Sequence, residues 1–128
     1  MGKIVLIGLG GLVGAVLRYV IGAQAQEISK SVTFPYGTLF VNVLGCLVIG
    51  LLSYLVESRG ALTANARILL MTGLLGAFTT FSSFSLETVN LLFARQFFPA
   101  MANLAANNML GLAAVWAGRI LPLLIWRQ

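Results

Sequence analysis

Residues 72–87 combine hydroxyl and aromatic side chains in a pattern suited to binding small ions. The stretch reads Thr-Gly-Leu-Leu-Gly-Ala-Phe-Thr-Thr-Phe-Ser-Ser-Phe-Ser-Leu-Glu. Hydroxyl groups donate hydrogen bonds and phenylalanine rings have electropositive edges, so together they can line a dehydrated site for a small anion. Phe81 and Phe84 are three residues apart and therefore share a helical face, with Thr80 and Ser83 close by.

The composition places this stretch inside a membrane protein. The chain has 128 residues, of which 59% are hydrophobic and 9% charged, far too apolar for a soluble domain of this size. Four apolar runs cover about residues 3–23, 34–56, 66–94 and 97–126, and each reaches the roughly 20 residues that a spanning helix needs. We expect an all-α protein with a single transmembrane domain over residues 1–128, surrounded by membrane lipid.

Two functional classes fit the composition poorly. The chain has no histidine and no paired acids, which argues against an enzyme. Its net charge is +5, but the basic residues lie at or near helix ends, so nucleic acid is not the expected partner.

The basic residues divide almost evenly between the two predicted sides of the membrane. One side carries Lys3, Arg59, Arg67, Arg119 and Arg127, and the other carries Arg18, Lys30 and Arg95. Since the Lys/Arg asymmetry of short loops sets orientation, this weak bias predicts insertion in both directions. A chain that inserts both ways can form an antiparallel, dual-topology homodimer.

The third run is longer than a bilayer requires, which leaves room for a break near the midplane. We expect a break near Gly73 to Ala77, because glycine disfavours a helix interior. Two half-helices that meet there would expose carbonyl groups and N–H groups. Carbonyl oxygens suit a hard cation such as Na⁺, whereas amide and hydroxyl donors suit an anion.

Amide side chains lie in two other apolar runs. Asn42 stands near the start of the second run and needs a partner, so it is predicted to face another helix, the dimer interface or an aqueous path. Asn103 and Asn107 are four residues apart and share a side of the fourth helix, where they would place amide donors along an ion path. Asn108 is a further candidate.

Two charged residues are also candidates. Arg18 is expected about a turn from the end of the first helix, where it would extend to the interface or bond a neighbouring carbonyl. Glu87 is the only acid within a predicted span, either as a hydrogen-bond partner or as part of a vestibule.

Two motifs in order make the sequence resemble the Fluc (CrcB) family of fluoride channels. They are Gly37-Thr38-Leu39-x-x-Asn42 and Thr72-Gly73-x-x-Gly76-x-x-Thr79-Thr80-Phe81-Ser82-x-Phe84-Ser85-x-Glu87. The resemblance covers the whole chain, including its size, its four spans and the glycine-rich first helix with Arg18. It departs at Ala77, where the family often has glycine, and around Asn107 and Asn108, where the family is variable.

The resemblance implies a multi-pass protein of the cell (inner) membrane that exports fluoride passively and lowers cytoplasmic fluoride. It implies an antiparallel homodimer with two fluoride pores and a structural Na⁺ at its centre, bound by the backbone carbonyls of Gly76 and Thr79. It further implies ring edges from Phe81 and Phe84 and an amide donor from Asn42. A polar track of hydroxyl groups comes from Thr80, Ser82 and Ser83.

The alternatives are a small multidrug-type antiporter and a non-transporting assembly subunit. The antiporter also has four helices and dual topology, but it is expected to carry a glutamate in its first span, where residues 3–23 have none. An assembly subunit would not explain the cluster of hydroxyls and glycines in the third span.

Overall fold

Helices form all of the regular structure in residues 2–125, the part of the chain that the computed structural model describes. They are α1 (Gly2–Ser29), α2 (Tyr36–Arg59), α3 (Ala64–Arg67), a π-helix (Ile68–Leu75), α4 (Gly76–Phe78), α5 (Phe81–Phe93) and α6 (Phe97–Ile125). Residue 1 and residues 126–128, which include Arg127 and the end of the predicted fourth span, lie outside the described part.

Four helical stretches are long and apolar enough to cross a membrane. They are Gly2–Ser29, Tyr36–Ser58, Ala64–Phe93 and Phe97–Leu124. Large apolar side chains cover the outside of the protein, among them Ile4, Leu12 and Trp116. The predicted all-helical architecture with four membrane-spanning helices is confirmed, and the protein is a multi-pass membrane protein.

The first helix is longer than predicted, because its polar end is tied to the following loop. Gln26 donates through Nε2 to the carbonyls of Ser31 (2.6 Å) and Phe34 (3.1 Å), and its Oε1 accepts from the N–H of Gly37 at 3.0 Å. The helix therefore continues past Ala23 to Ser29. The expectation that Arg18 lies about a turn from the helix end is wrong, because Arg18 is well inside α1.

The third span is interrupted as predicted, just after the glycine-rich range rather than within it. Residues 68–75 form a π-helix and Gly76–Phe78 continue it as helix, so Gly73 to Ala77 do not contain the break. The backbone instead becomes extended at Thr79 (φ −85°, ψ 158°) and Thr80 (φ −148°, ψ 118°) before α5 begins. The break lies just beyond the glycines because glycine propensity is weak compared with tertiary contacts, which here stabilise a helical Gly73 and an extended Thr80.

Close packing of backbones explains why Gly73 remains helical. The π-helix lies against α1, and a Cβ atom at Gly10 or Gly14 would fall within 3.0 Å of backbone atoms of Leu69 or Leu74. A Cβ at Gly73 would in turn lie 2.9 Å from the carbonyl oxygen of Ile7. Small residues allow this approach, which in a membrane provides the van der Waals contact that holds helices together.

We expect Gly14→Ala to destabilise the protein and Gly8→Ala to leave it unchanged or slightly more stable. The new methyl group at position 14 would overlap the Leu74 backbone, at a cost of about 1–3 kcal/mol. At Gly8 no atom lies within 4 Å of the built Cβ, so only the gain in helix propensity, up to about 1 kcal/mol, remains. Thermal unfolding in detergent would measure both, and equal midpoints for the two variants would contradict the packing argument.

Candidate functional site: the interrupted third span

The side chain of Asn42 replaces the helical hydrogen bonds that the break removes. Its Oδ1 accepts from the N–H of Thr80 at 2.8 Å, and its Nδ2 donates to the carbonyl of the same residue at 3.1 Å. A free N–H or C=O in lipid costs several kcal/mol, roughly, so an amide that supplies one donor and one acceptor is well matched to an extended residue. Asn42 therefore stabilises the extended backbone of Thr80.

The same contacts release the carbonyl groups of Gly76 and Thr79. In an α-helix their partners would be the N–H groups of Thr80 and Ser83, four residues further on. Those groups bond instead to Asn42 Oδ1 (2.8 Å) and to Thr80 Oγ1 (3.1 Å). Gly76 is exposed and Thr79 half-buried. The donor set fits a hard monovalent cation, since backbone oxygens are the ligands that such ions prefer.

The hydroxyl groups after the break meet at Thr80. Its Oγ1 donates to Ser83 Oγ at 3.0 Å, lies 3.3 Å from Ser82 Oγ, and caps α5 by accepting the Ser83 N–H. Because Ser83 Oγ accepts from Thr80, its own proton remains available to a ligand. Thr80, Ser82 and Ser83 thus form one connected group at the start of α5.

The two phenylalanines follow directly and lie beside one cleft. Their ring centroids are 5.5 Å apart with an angle of 67° between the ring planes, an edge-to-face pair. Phe84 is buried, with 5% of its surface exposed, whereas Phe81 is 78% exposed. Both rings line a cleft of about 350 Å³, together with Asn42, Gly76 and Thr79. The cleft therefore combines two phenylalanine rings, an amide and two residues whose carbonyl groups lack their helical partners.

A chain of hydrogen bonds connects Asn42 to α6 and back to α5. Asn42 Nδ2 donates to Asn107 Oδ1 at 2.9 Å, and Asn107 Nδ2 donates to the carbonyl (3.1 Å) and Oδ1 (2.9 Å) of Asn103. Asn103 is fully buried and donates to Thr88 Oγ1 at 2.9 Å, and Thr88 donates to the carbonyl of Phe84 at 2.8 Å. Asn103 and Asn107 share a side as predicted, but the donors of Asn107 point to Asn103.

Asn108 is separate from this chain. Its Nδ2 donates to the Leu104 carbonyl of the same helix at 2.7 Å, and the side chain is exposed on the rim of the phenylalanine cleft. The structure therefore brings Asn107, but not Asn108, into contact with Asn42.

A second, more polar cleft lies on the other side of Thr80. It measures about 600 Å³ and its lining includes Arg18, Thr38, Ser83 and Glu87. Thr38 Oγ1 donates to Glu87 Oε1 at 2.5 Å, whereas Glu87 Oε2 is buried and has no hydrogen-bond partner within residues 2–125. Arg18 is half-buried and lines the cleft. Since Thr80 lines both clefts, it stands where they approach each other.

Several residues of the site were not singled out from the sequence. From the sequence, Thr38 stands out only as part of a motif, although it bonds Glu87, and no sequence pattern marks Thr88, which bonds Asn103. Gly45 lies three residues after Asn42, where a Cβ would overlap the Thr79 side chain, so it allows the break to approach α2. The spacing of Asn42 and Gly45 on one helical face was the available signal.

These features define a class of protein, a small multi-pass membrane protein in which one spanning helix is opened by polar contacts to form two clefts. The family model described as CrcB-like protein, Camphor Resistance (CrcB), matches residues 5–119. The chain belongs to the CrcB-like family.

Three proteins that are similar to this chain over nearly their whole length are named as fluoride-specific ion channels. The chain is 44% identical to "Fluoride-specific ion channel FluC 1" of Methanosarcina acetivorans, over 94% of this chain and 90% of that protein. It is 42% identical to "Fluoride-specific ion channel FluC" of Desulforapulum autotrophicum, over 96% and 98%. The protein of that name from Chloroflexus aurantiacus is 44% identical, over 92% and 93%.

Proposed function

We propose that this protein is a fluoride channel of the cell membrane that lets fluoride leave the cytoplasm passively. The single observation that carries the proposal is the break at Thr79 and Thr80, around which hydroxyl groups, the Asn42 amide and two phenylalanine rings line two clefts. The family membership and the printed names of its relatives support the same function.

The chemistry of fluoride explains why such a site is needed. Fluoride is small and strongly hydrated, so a selective pore must replace its water with closely spaced donors and still allow it to leave. Ser83 has a free hydroxyl proton, and Phe81 and Phe84 present ring edges without a carboxylate in the same cleft. In this proposal Asn42 supplies the amide donor, and Thr80 and Ser82 complete the polar track.

The polar cleft is the proposed vestibule of this path. Arg18 lines it and attracts anions over a short range. Glu87 lines the same cleft. Its Oε1 accepts a hydrogen bond from Thr38, which offsets part of the negative charge of a carboxylate there. Fluoride would pass from this vestibule across Thr80 and Ser83 to the phenylalanine cleft.

The multidrug antiporter fits less well. That mechanism requires a membrane-embedded carboxylate in the first span, and the acid in α1, Glu27, is exposed in the final turn of the helix. The clefts at the break are lined by hydrogen-bond donors, which suit an anion better than a cationic drug.

Fluoride efflux from proteoliposomes, followed with a fluoride electrode and repeated with chloride, tests the function. The wild-type protein should release fluoride and retain chloride. Phe81→Ile and Phe84→Ile keep the apolar bulk but remove the ring edge, so fluoride efflux should fall about tenfold in each. Phe93→Ile is the matched control, because Phe93 is 84% exposed near the end of α5 and lines neither cleft. Fluoride efflux at the parental rate in folded Phe81 and Phe84 variants would contradict a role for the ring edges and show that both rings only pack.

We further propose that two copies associate in antiparallel orientation to complete the pore. One chain leaves Phe81 78% exposed beside an open cleft, and Gly76, whose carbonyl lacks its α-helical partner, is an exposed residue as well. Polar backbone exposed in this way is costly against lipid and is covered by a second copy. The near-even distribution of basic residues supports an antiparallel arrangement.

Dual topology predicts that a reporter at the C-terminus is detected on both sides of the membrane. Adding two lysines after Gly60 should favour one orientation, and adding two after Ser31 should favour the opposite one, because the two loops lie at opposite ends of α2. A single orientation that neither insertion changes would contradict dual topology.

The released carbonyls motivate a third proposal, a structural Na⁺ at the dimer centre. Gly76 and Thr79 of each subunit would hold it, and the ion would supply the positive charge that four converging backbone oxygens require. Neither carbonyl has its α-helical partner, and this observation supports the fit. Within one chain a Cβ at Gly76 meets only the Met71 carbonyl oxygen, at 3.9 Å, so a single protomer tolerates a side chain there.

Gly76→Val should therefore leave the protomer helical but abolish dimerisation and flux, whereas Thr79→Ser, which keeps the carbonyl, should be mild. Circular dichroism and crosslinking separate the two effects. Flux should require Na⁺ but not a Na⁺ gradient, and a heavier monovalent ion soaked into crystals should scatter anomalously on the two-fold axis. Full activity after rigorous removal of Na⁺, with empty density on the axis, would contradict the proposal.

A further inference from the structure

The carboxamide of Asn42 has no free proton for an anion. One N–H of Nδ2 is directed to the carbonyl of Thr80 at 3.1 Å, and the other to Asn107 Oδ1 at 2.9 Å. A carboxamide has two donors and no more. An anion that takes a hydrogen bond from Asn42 must therefore replace one of these two acceptors.

The two acceptors differ in how easily an anion can displace them from Asn42 Nδ2. The carbonyl of Thr80 belongs to the backbone that Asn42 stabilises, and the N–H of the same residue is bonded to Asn42 Oδ1 at 2.8 Å. Asn107 Oδ1 is carried by a half-buried side chain on the lining of the cleft that Phe81 and Phe84 also line. The contact with Asn107 is the one that can open without disrupting the break.

Asn107 presents an acceptor to the cleft because its donors are already engaged. Both of its Nδ2 contacts are to Asn103, whose side chain is fully buried and bonded in turn to Thr88. This network fixes which end of the Asn107 carboxamide faces Asn42. Asn107 Oδ1 in this position repels an anion, but it accepts the hydrogen bond from Asn42 Nδ2 while no anion is present.

We propose that Asn107 Oδ1 occupies the position where fluoride binds to Asn42, and that fluoride binds by displacing this oxygen. This inference rests on the proposed function and assigns Asn107 a role as a specificity-determining competitor rather than as an anion ligand. Hydrogen bonds to a charged acceptor are roughly twice as strong as those between neutral groups, so fluoride wins the exchange. Chloride is larger and a weaker acceptor, so it does not displace Asn107 Oδ1. The competing oxygen therefore contributes to the selectivity for fluoride over chloride.

Asn107→Leu tests this, because leucine matches the shape of asparagine but has no acceptor. Concentration-dependent fluoride flux through the intact dimer in proteoliposomes should reach half-saturation at about fivefold lower fluoride, since one competing neutral hydrogen bond is gone. Chloride flux should rise by a similar factor. Asn90→Leu is the matched control, because Asn90 is exposed near the end of α5 and lines neither of the two clefts, and it should change neither value.

A measurement on the wild-type protein keeps the test independent of whether the variants fold. In protein labelled with ¹⁵N-asparagine, added sodium fluoride should shift the side-chain amide signals of Asn42 and Asn107 but not that of Asn90, and sodium chloride should shift none of them. The inference is overturned if those signals do not respond in a protein that passes fluoride. It is also overturned if a folded Asn107→Leu variant keeps the parental half-saturation or loses flux. A wild-type protein that passes no fluoride would instead refute the proposed function itself.

Discussion

The pair of hydrogen bonds between the Asn42 carboxamide and the backbone of Thr80 is the contact on which the rest of the site depends. A helix crossing lipid satisfies its own backbone, and any opened turn must find partners elsewhere. Asn42 supplies both a donor and an acceptor to one residue, at 3.1 Å and 2.8 Å. Without such an amide on α2, Thr80 would be more stable as part of a continuous helix.

Opening the helix at this point separates two kinds of chemistry. Upstream, the carbonyls of Gly76 and Thr79 lose their helical partners and present oxygen atoms. Downstream, α5 begins with hydroxyl groups and phenylalanine rings, which present positive hydrogens and ring edges. One break can thus serve a cation with its first half and an anion with its second, as the proposed channel requires. The polarity of the peptide chain produces the first half, because a helix ends in unpaired carbonyls, whereas the residue types at the start of α5 produce the second.

Polar residues in the interior link the break to the surrounding helices. Asn103 is fully buried, and the hydrogen-bond chain through Thr88 ends on the carbonyl of Phe84. Buried amides are stable in an apolar bundle only when their donors and acceptors are paired, and such networks specify one arrangement. The orientation of the Asn42 amide and the position of the Phe84 ring are therefore coupled through α6.

Hydropathy and the motif around residues 72–87 determined the class of this protein, its four spans and its family, since apolar length and local residue type are properties of the sequence alone. Hydropathy and this motif did not determine the exact position of the break. Glycine propensity pointed to Gly73 to Ala77, whereas packing of Gly10 and Gly14 on the π-helix holds Gly73 in a helix. Only the tertiary structure brings Asn42 against Thr80 and turns the donors of Asn107 towards Asn103. Such hydrogen bonds join residues far apart in the chain, and whether a side chain offers a donor or an acceptor to a cleft depends on the partners that the fold provides.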